Sequence, residues 1–207
     1  MAFIEYTNSD AAKAAFVNAL QGVGVEPTVS MDANALVFAT LANQAAGVPV
    51  TQGGPGTVGT GTVLKQSIAT AGDLTVTSIL VDLTGLNSGG TAGDIIGKNG
   101  TGAAYISRLS AANGTITAIR MTCLETPAGG DTDLDLYSAT EGTGVEDTAI
   151  TALTEVQLIN AGTQSSGTVT AAANMPAAAT DYLYLVGQGT ANATYTAGKF
   201  LIELYGI

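Results

Sequence analysis

From Val63 to the C-terminus, apolar and polar residues alternate with period two, and Gly-containing turns break the alternation at short intervals. That pattern belongs to strands with one buried face. Over 131–137 the carboxylates of Asp131, Asp133 and Asp135 take one face, with Leu134 and Leu136 on the other. Over 199–205, Phe200, Ile202 and Leu204 alternate with Lys199, Leu201, Glu203 and Tyr205. Residues 182–186 alternate aromatic and aliphatic side chains, which suits a strand covered on both faces. Further strands are expected at 63–69, 74–83, 104–109, 115–124 and 153–160, with a weaker one at 168–172. Turn signals lie between them: Asn99-Gly100, Asn113-Gly114, Ala128-Gly129-Gly130 and Gly142-Thr143-Gly144. Asn-Gly signals a hairpin because both residues tolerate positive φ. Eight or nine strands without interleaved helices imply a mainly β fold, a jelly-roll-like antiparallel sandwich over 63–207.

The N-terminal 1–46 has a different texture. Asn8, Ser9 and Asp10 offer N-cap side chains, and Ala12, Phe16, Ala19 and Leu20 recur at helical spacing. A second helix is expected over 33–46, opened by Ser30 and Asp32 and stopped by Gly47 and Pro49, with a strand over 35–41 as the rival reading. The intervening stretch, 47–62, has 6 Gly, 2 Pro and 4 Thr, and is expected to be a flexible or extended linker. The expected organisation is therefore a partly helical arm, a linker and a β-sandwich.

Composition narrows the chemistry. Ala, Thr and Gly make up 91 of 207 residues, yet Leu, Ile, Val and Phe number 49, enough for a core. His is absent, which removes Ser-His-Asp and Cys-His pairs and His-ligated metals. The single Cys123 forms no internal disulfide and reads as a small buried hydrophobe. No catalytic residue and no cofactor are assigned. The net charge is −11, and the six bases (Lys13, Lys65, Lys98, Arg108, Arg120, Lys199) stand singly, so neither nucleic acid nor an anionic membrane is expected as a partner. The start lacks a basic region and an apolar stretch of the secretory kind, and the expectation is synthesis in a cytosol.

Apparent motifs resolve into structure. Gly54-Pro55-Gly56-Thr57-Val58-Gly59 spells G-x-G-x-x-G but lies in the linker, where the dinucleotide fingerprint needs a strand before it and a helix after it. Ile95-Ile96-Gly97-Lys98-Asn99 lacks the first Gly and the hydroxyl of a phosphate loop. The sequons at Asn99, Asn113 and Asn192 read as turns. From Glu125 to Glu155 there are eight acids and no base, expected to form a solvated acidic face. A divalent-ion site is the alternative, from Asp133 or Asp135 with Glu141, Glu146 or Asp147. The carboxylates lack the Gly and Glu positions of the twelve-residue calcium loop. Paired carboxylates also fit a glycosidase, against which stands the absence of Trp. Tyr182, Tyr184, Tyr195 and Tyr205 are expected in the core or between subunits.

The linker 53–62, the β opening Val63-Leu64-Lys65-Gln66-Ser67-Ile68 and the closing strand 198–205, with the acidic Thr/Gly/Ala-rich and His-free composition, resemble virion structural proteins of tailed bacteriophages. The closest likeness is to head decoration (cement) proteins. The resemblance implies a non-enzymatic protein on the outer capsid surface, a homotrimer whose partners are the major capsid protein and itself. It also implies an N-terminal arm lying on the capsid, for which Phe3, Tyr6, Lys13, Phe16 and Leu20 are the contact candidates. The competing expectation is a head- or tail-fibre module that recognises a host glycan.

Overall fold

The computed structural model describes residues 53–98 and 102–207. The helices expected in 1–46, the five arm candidates, linker residues 47–52 and the Asn99-Gly100 turn lie outside them.

The described chain is mainly β, two antiparallel five-stranded sheets packed as a sandwich. The strands are β1 (Val63–Ala71), β2 (Leu74–Asp82), β3 (Asp94–Ile95), β4 (Ser107–Arg108), β5 (Ile116–Ala128), β6 (Leu134–Ala139), β7 (Glu155–Ile159), β8 (Val169–Ala171), β9 (Tyr182–Gly187) and β10 (Ala197–Gly206). The first sheet runs β1-β2-β10-β5-β8. The second runs β3-β9-β6-β7, with β4 beside β3 on the same edge of β9. The alternating segments become the long strands because every second side chain can be buried. In β10, Phe200, Ile202 and Leu204 are fully buried while Lys199, Leu201, Glu203 and Tyr205 stay half-exposed. They meet Ile79 and Val81 of β2, Met121 and Cys123 of β5, and Leu134, Leu136, Leu183 and Leu185 from the second sheet. Cys123 sits in this core as expected, and burial pushes its thiol pKa up.

The second sheet has another apolar layer on its outer side. Tyr137 and Ala139 of β6 and Tyr184 and Val186 of β9 pack with Ile95 of β3 and with Ala104 and Ile150, which belong to the connections over 96–106 and 140–154. Those connections roof the sheet, so β6 is buried along its whole length. Strand β9 is covered on both faces, as its alternating aromatic and aliphatic residues require.

Several expectations are corrected. Residues 53–57 are not a free linker. Gly54 and Gly56 donate to the carbonyls of Tyr105 and Ala103, a 3-10 turn runs over Pro55–Thr57, and the Thr57 hydroxyl donates back to Gly54 O at 2.7 Å. A Cβ on Gly54 or Gly56 would strike the carbonyl of Ala103 or Gly102, so their lack of a side chain serves close packing rather than flexibility. The 104–109 strand shrinks to β4, and the 131–137 strand begins only at Leu134. Asn113-Gly114 makes no hairpin. Ala111–Asn113 is a 3-10 turn closed by a capping box with Ser110, and the chain crosses there from one sheet to the other. The tight hairpin joins β1 to β2 through Gly72-Asp73, with Gly72 at φ 63°.

Candidate interaction face

Among the described residues nothing roofs the outer face of the β1-β2-β10-β5-β8 sheet, in contrast to its counterpart. Register places its side chains in rows across the strands. One row holds Lys65, Leu80, Leu201, Thr122 and Val169. Another holds Ala69, Val76, Tyr205 and Ala118. Between them run Ser67, Ser78, Glu203, Arg120 and Ala171, where the Arg120 guanidinium is paired with Glu203. At the far end, Lys199 sits between Asp82, 3.5 Å away, and Glu125. Of six large hydrophobics exposed among the described residues, four (Val63, Leu74, Leu124 and Val169) lie on this face or at its rim.

The charge of this face differs from that of the rest of the molecule. Lys65, Arg120 and Lys199 are half of the bases in the whole chain, and they balance Asp82, Glu125 and Glu203. Everywhere else the described residues hold ten acids against two bases, Lys98 and Arg108. The ion pairs are already closed within the face. Hydrogen bonding to Glu125 raises the Lys199 pKa, and the Lys199 hydrogen bond lowers that of Glu125. Burial pushes Asp82 up, but hydrogen bonds from Thr84 and the charge of Lys199 outweigh it and hold the carboxyl below its usual value.

The carboxylates offered as a divalent site are not brought together. Among the described residues no three carboxylates or thiols converge. Asp135 is buried, and its two oxygens accept from Gln157 Nε2 and Ala161 N, both at 2.8 Å. Glu141 accepts from the Thr154 hydroxyl and backbone N–H, which lowers its pKa. Asp133 is half-buried, and its pKa is raised by burial and then by Asp135. Asp147 is exposed at φ 60°, and beside it Glu146 is pushed up by burial and by the Asp147 charge. The solvated acidic face is corrected as well: Asp131 and Asp135 are buried, Asp131 against Gly187, Gly189 and Ala191 and Asp135 against Gln157 and Ala161. Alternation separated Asp135 from Leu134 and Leu136 but carries no information about those partners.

A second surface feature was invisible in sequence because its residues are distant there. Arg108 of β4 pairs with Tyr182 of β9, and its guanidinium carbon stands 5.5 Å over the Tyr182 ring. Tyr105 meets Tyr182 edge-on at 4.9 Å. An open cleft of about 510 Å³ lies here, lined by Tyr105, Arg108, Leu109, Ser110, Ala111 and Thr180. Of the tyrosines expected inside, Tyr184 and Tyr195 are buried. Their hydroxyls donate to Glu141 O at 2.8 Å and Asp131 O at 3.0 Å. Tyr182 and Tyr205 are half-exposed.

Comparison of the chain with protein-family models, with curated proteins and with solved structures finds no match in any of the three.

Proposed function

We propose that the chain is a non-enzymatic virion structural protein, a head decoration protein that binds the outer capsid surface and stabilises the head. In this reading the sandwich is jelly-roll-like and stands on a short, partly helical arm. Phe3, Tyr6, Lys13, Phe16 and Leu20 of that arm contact the major capsid protein. The protein is made in the host cytoplasm and works on the virion surface without a cofactor. The observation that carries the reading is the segregation of charge on the β domain. A molecule displayed in many crowded copies gains solubility from an acidic exterior, and it needs one neutral, apolar surface to sit against protein neighbours.

The test is cosedimentation of the full chain with capsids assembled without it. Saturable binding and heads more resistant to heat are expected. A Phe16→Ser, Leu20→Ser variant that still folds should lose the binding. An intact chain that leaves capsids bare at saturating concentration refutes the proposal.

The Tyr105–Arg108–Tyr182 cleft favours a second reading, a receptor-binding module for a host glycan. A tyrosine ring is a stacking platform for a sugar, and a guanidinium pairs with a carboxylate. Under that reading the full chain binds acidic glycans immobilised on a surface, and Arg108→Ala abolishes the binding.

A further inference from the structure

We propose that the outer face of the β1-β2-β10-β5-β8 sheet is the docking surface for a second copy of this chain, the two faces meeting about a two-fold axis. The inference deepens the reading above by naming the partner of that face, puts a two-fold pair where the resemblance implies a homotrimer, and rests on that reading only in treating the face as a contact surface.

Charge selects the partner. A basic protein would be drawn to the acidic remainder of the molecule, not to the one surface where charge cancels. A partner with this chain's own net charge, −11, meets an excess of acids, ten against two bases, over the rest of the described residues and is spared that repulsion here. A second copy meets that condition. The face is also suited to meet itself. Leu80 and Leu201 lie on neighbouring central strands, in direct register, with ion-paired rows on either side. A two-fold axis through that pair sets leucine on leucine and leaves Lys65, on edge strand β1, at the rim. Because the Arg120–Glu203 and Lys199–Asp82/Glu125 groups are already paired, covering them strands no lone charge.

Size sets the strength. Four strands about 4.8 Å apart and about nine residues long in their paired stretch, with the short β8 beside them, present roughly 650 Å². Two such faces bury about 1,300 Å², at the low end of a specific interface. The pair is therefore reversible and depends on concentration.

The experiment is sedimentation velocity on the purified full chain, from about 5 to about 500 μM, the range in which an interface of this size associates. The weight-average mass should rise from 20.5 kDa toward twice that value. Raising the salt from about 20 to about 300 mM should strengthen association, because screening weakens the repulsion between two acidic bodies. Leu201→Glu should cut the association constant at least about thirtyfold, about half in free energy of what a buried unpaired charge costs. Leu80→Lys is a second variant against loss of fold, and thermal melts of both check it. Monomer throughout the range overturns the proposal. So does association that survives both folded variants, or association that weakens with salt. Capsid binding is measured on the same preparations. A monomer that binds capsids sinks this inference alone, and a pair that ignores capsids sinks the decoration reading alone.

Discussion

The Ser107 hydroxyl donates to Gln66 Oε1 at 2.8 Å in the sandwich interior, tying β4 of one sheet to β1 of the other. Both side chains are buried, and Gln66 Nε2 finds no partner among the described residues. Removing the hydroxyl alone strands the remaining amide oxygen as well. Ser107→Ala should lower unfolding free energy by about 1–3 kcal/mol, the cost of a buried unsatisfied group. Adding Gln66→Leu should recover most of that loss, since an apolar pair needs no partner. Urea melts of the two single mutants and the double mutant measure the coupling. A double mutant as unstable as the sum of the singles contradicts the account.

Asp131 sets a second test. Its Oδ1 accepts from Ala191 N at 2.9 Å, its backbone N–H donates to Ser88 Oγ, and its carbonyl accepts from the Tyr195 hydroxyl. Gly187 and Gly189 press against the carboxylate. A Cβ on Gly187 would lie 2.6 Å from Oδ2, and one on Gly189 would strike Oδ1. Gly189→Ala should therefore destabilise by about 1–3 kcal/mol, the usual cost of overpacking. In an Asp131→Ala background the same change should cost much less, because the atom it strikes is gone. Equal penalties in the two backgrounds, read by thermal melting, would place the strain elsewhere.

Asp135 separates a structural carboxylate from a metal ligand. It accepts two hydrogen bonds across β6 and β7. Asp135→Ala should cost about 2–4 kcal/mol by leaving Ala161 N–H and Gln157 unpaired. That loss should be the same with and without a chelator, and chelation should leave the melting temperature of the parent unchanged. A chelator-induced drop that disappears in the Asp135→Ala protein would restore the divalent reading.

What could be read from the sequence followed the length of the strands. Strands β2, β5 and β10 announce themselves by alternation, because each buries one face against the core of the sandwich. Strand β3 has two residues and exists because Asp94 and Ile95 find the edge of β9, a tertiary event that leaves no periodic trace. The same limit hid the roof over the second sheet, which is built of connections holding Ala104 and Ile150. Asp131 and Asp135 look solvated for a like reason, since Gly187, Gly189 and Ala191 around the one and Gln157 and Ala161 around the other are distant in sequence. Asn113-Gly114 was misread for a different reason. Its turn chemistry is real, with Gly114 at φ 68°, but the Asn113 side chain is spent inside. Its Nδ2 donates to the buried Thr77 hydroxyl at 2.8 Å. The bare sheet face was partly legible, since Lys199, Leu201, Glu203 and Tyr205 fall on one side of the last strand. Its neutrality needed the register that brings Asp82, Arg120 and Glu125 alongside.

Alkaline titration tests the tyrosine assignments. Burial pushes the Tyr184 hydroxyl from 10.0 up to about 12 and pushes Tyr195 higher still. Their folded pKa values exceed the unfolded ones, so both favour the folded state fully below pH 10. That contribution is lost as pH rises, because the unfolded chain ionises first. Unfolding should therefore set in between about pH 10 and 12, driven by the tyrosines. Tyrosinate absorbance at about 295 nm should then include a late cooperative phase coincident with loss of circular dichroism. Tyr184→Phe loses the ionisable group and its bonds to Glu141 O and Gly144 N, and should melt lower at pH 7 yet lose less between pH 10 and 12. If every tyrosine ionised in one phase near pH 10 with the fold intact, Tyr184 and Tyr195 would not be buried as described.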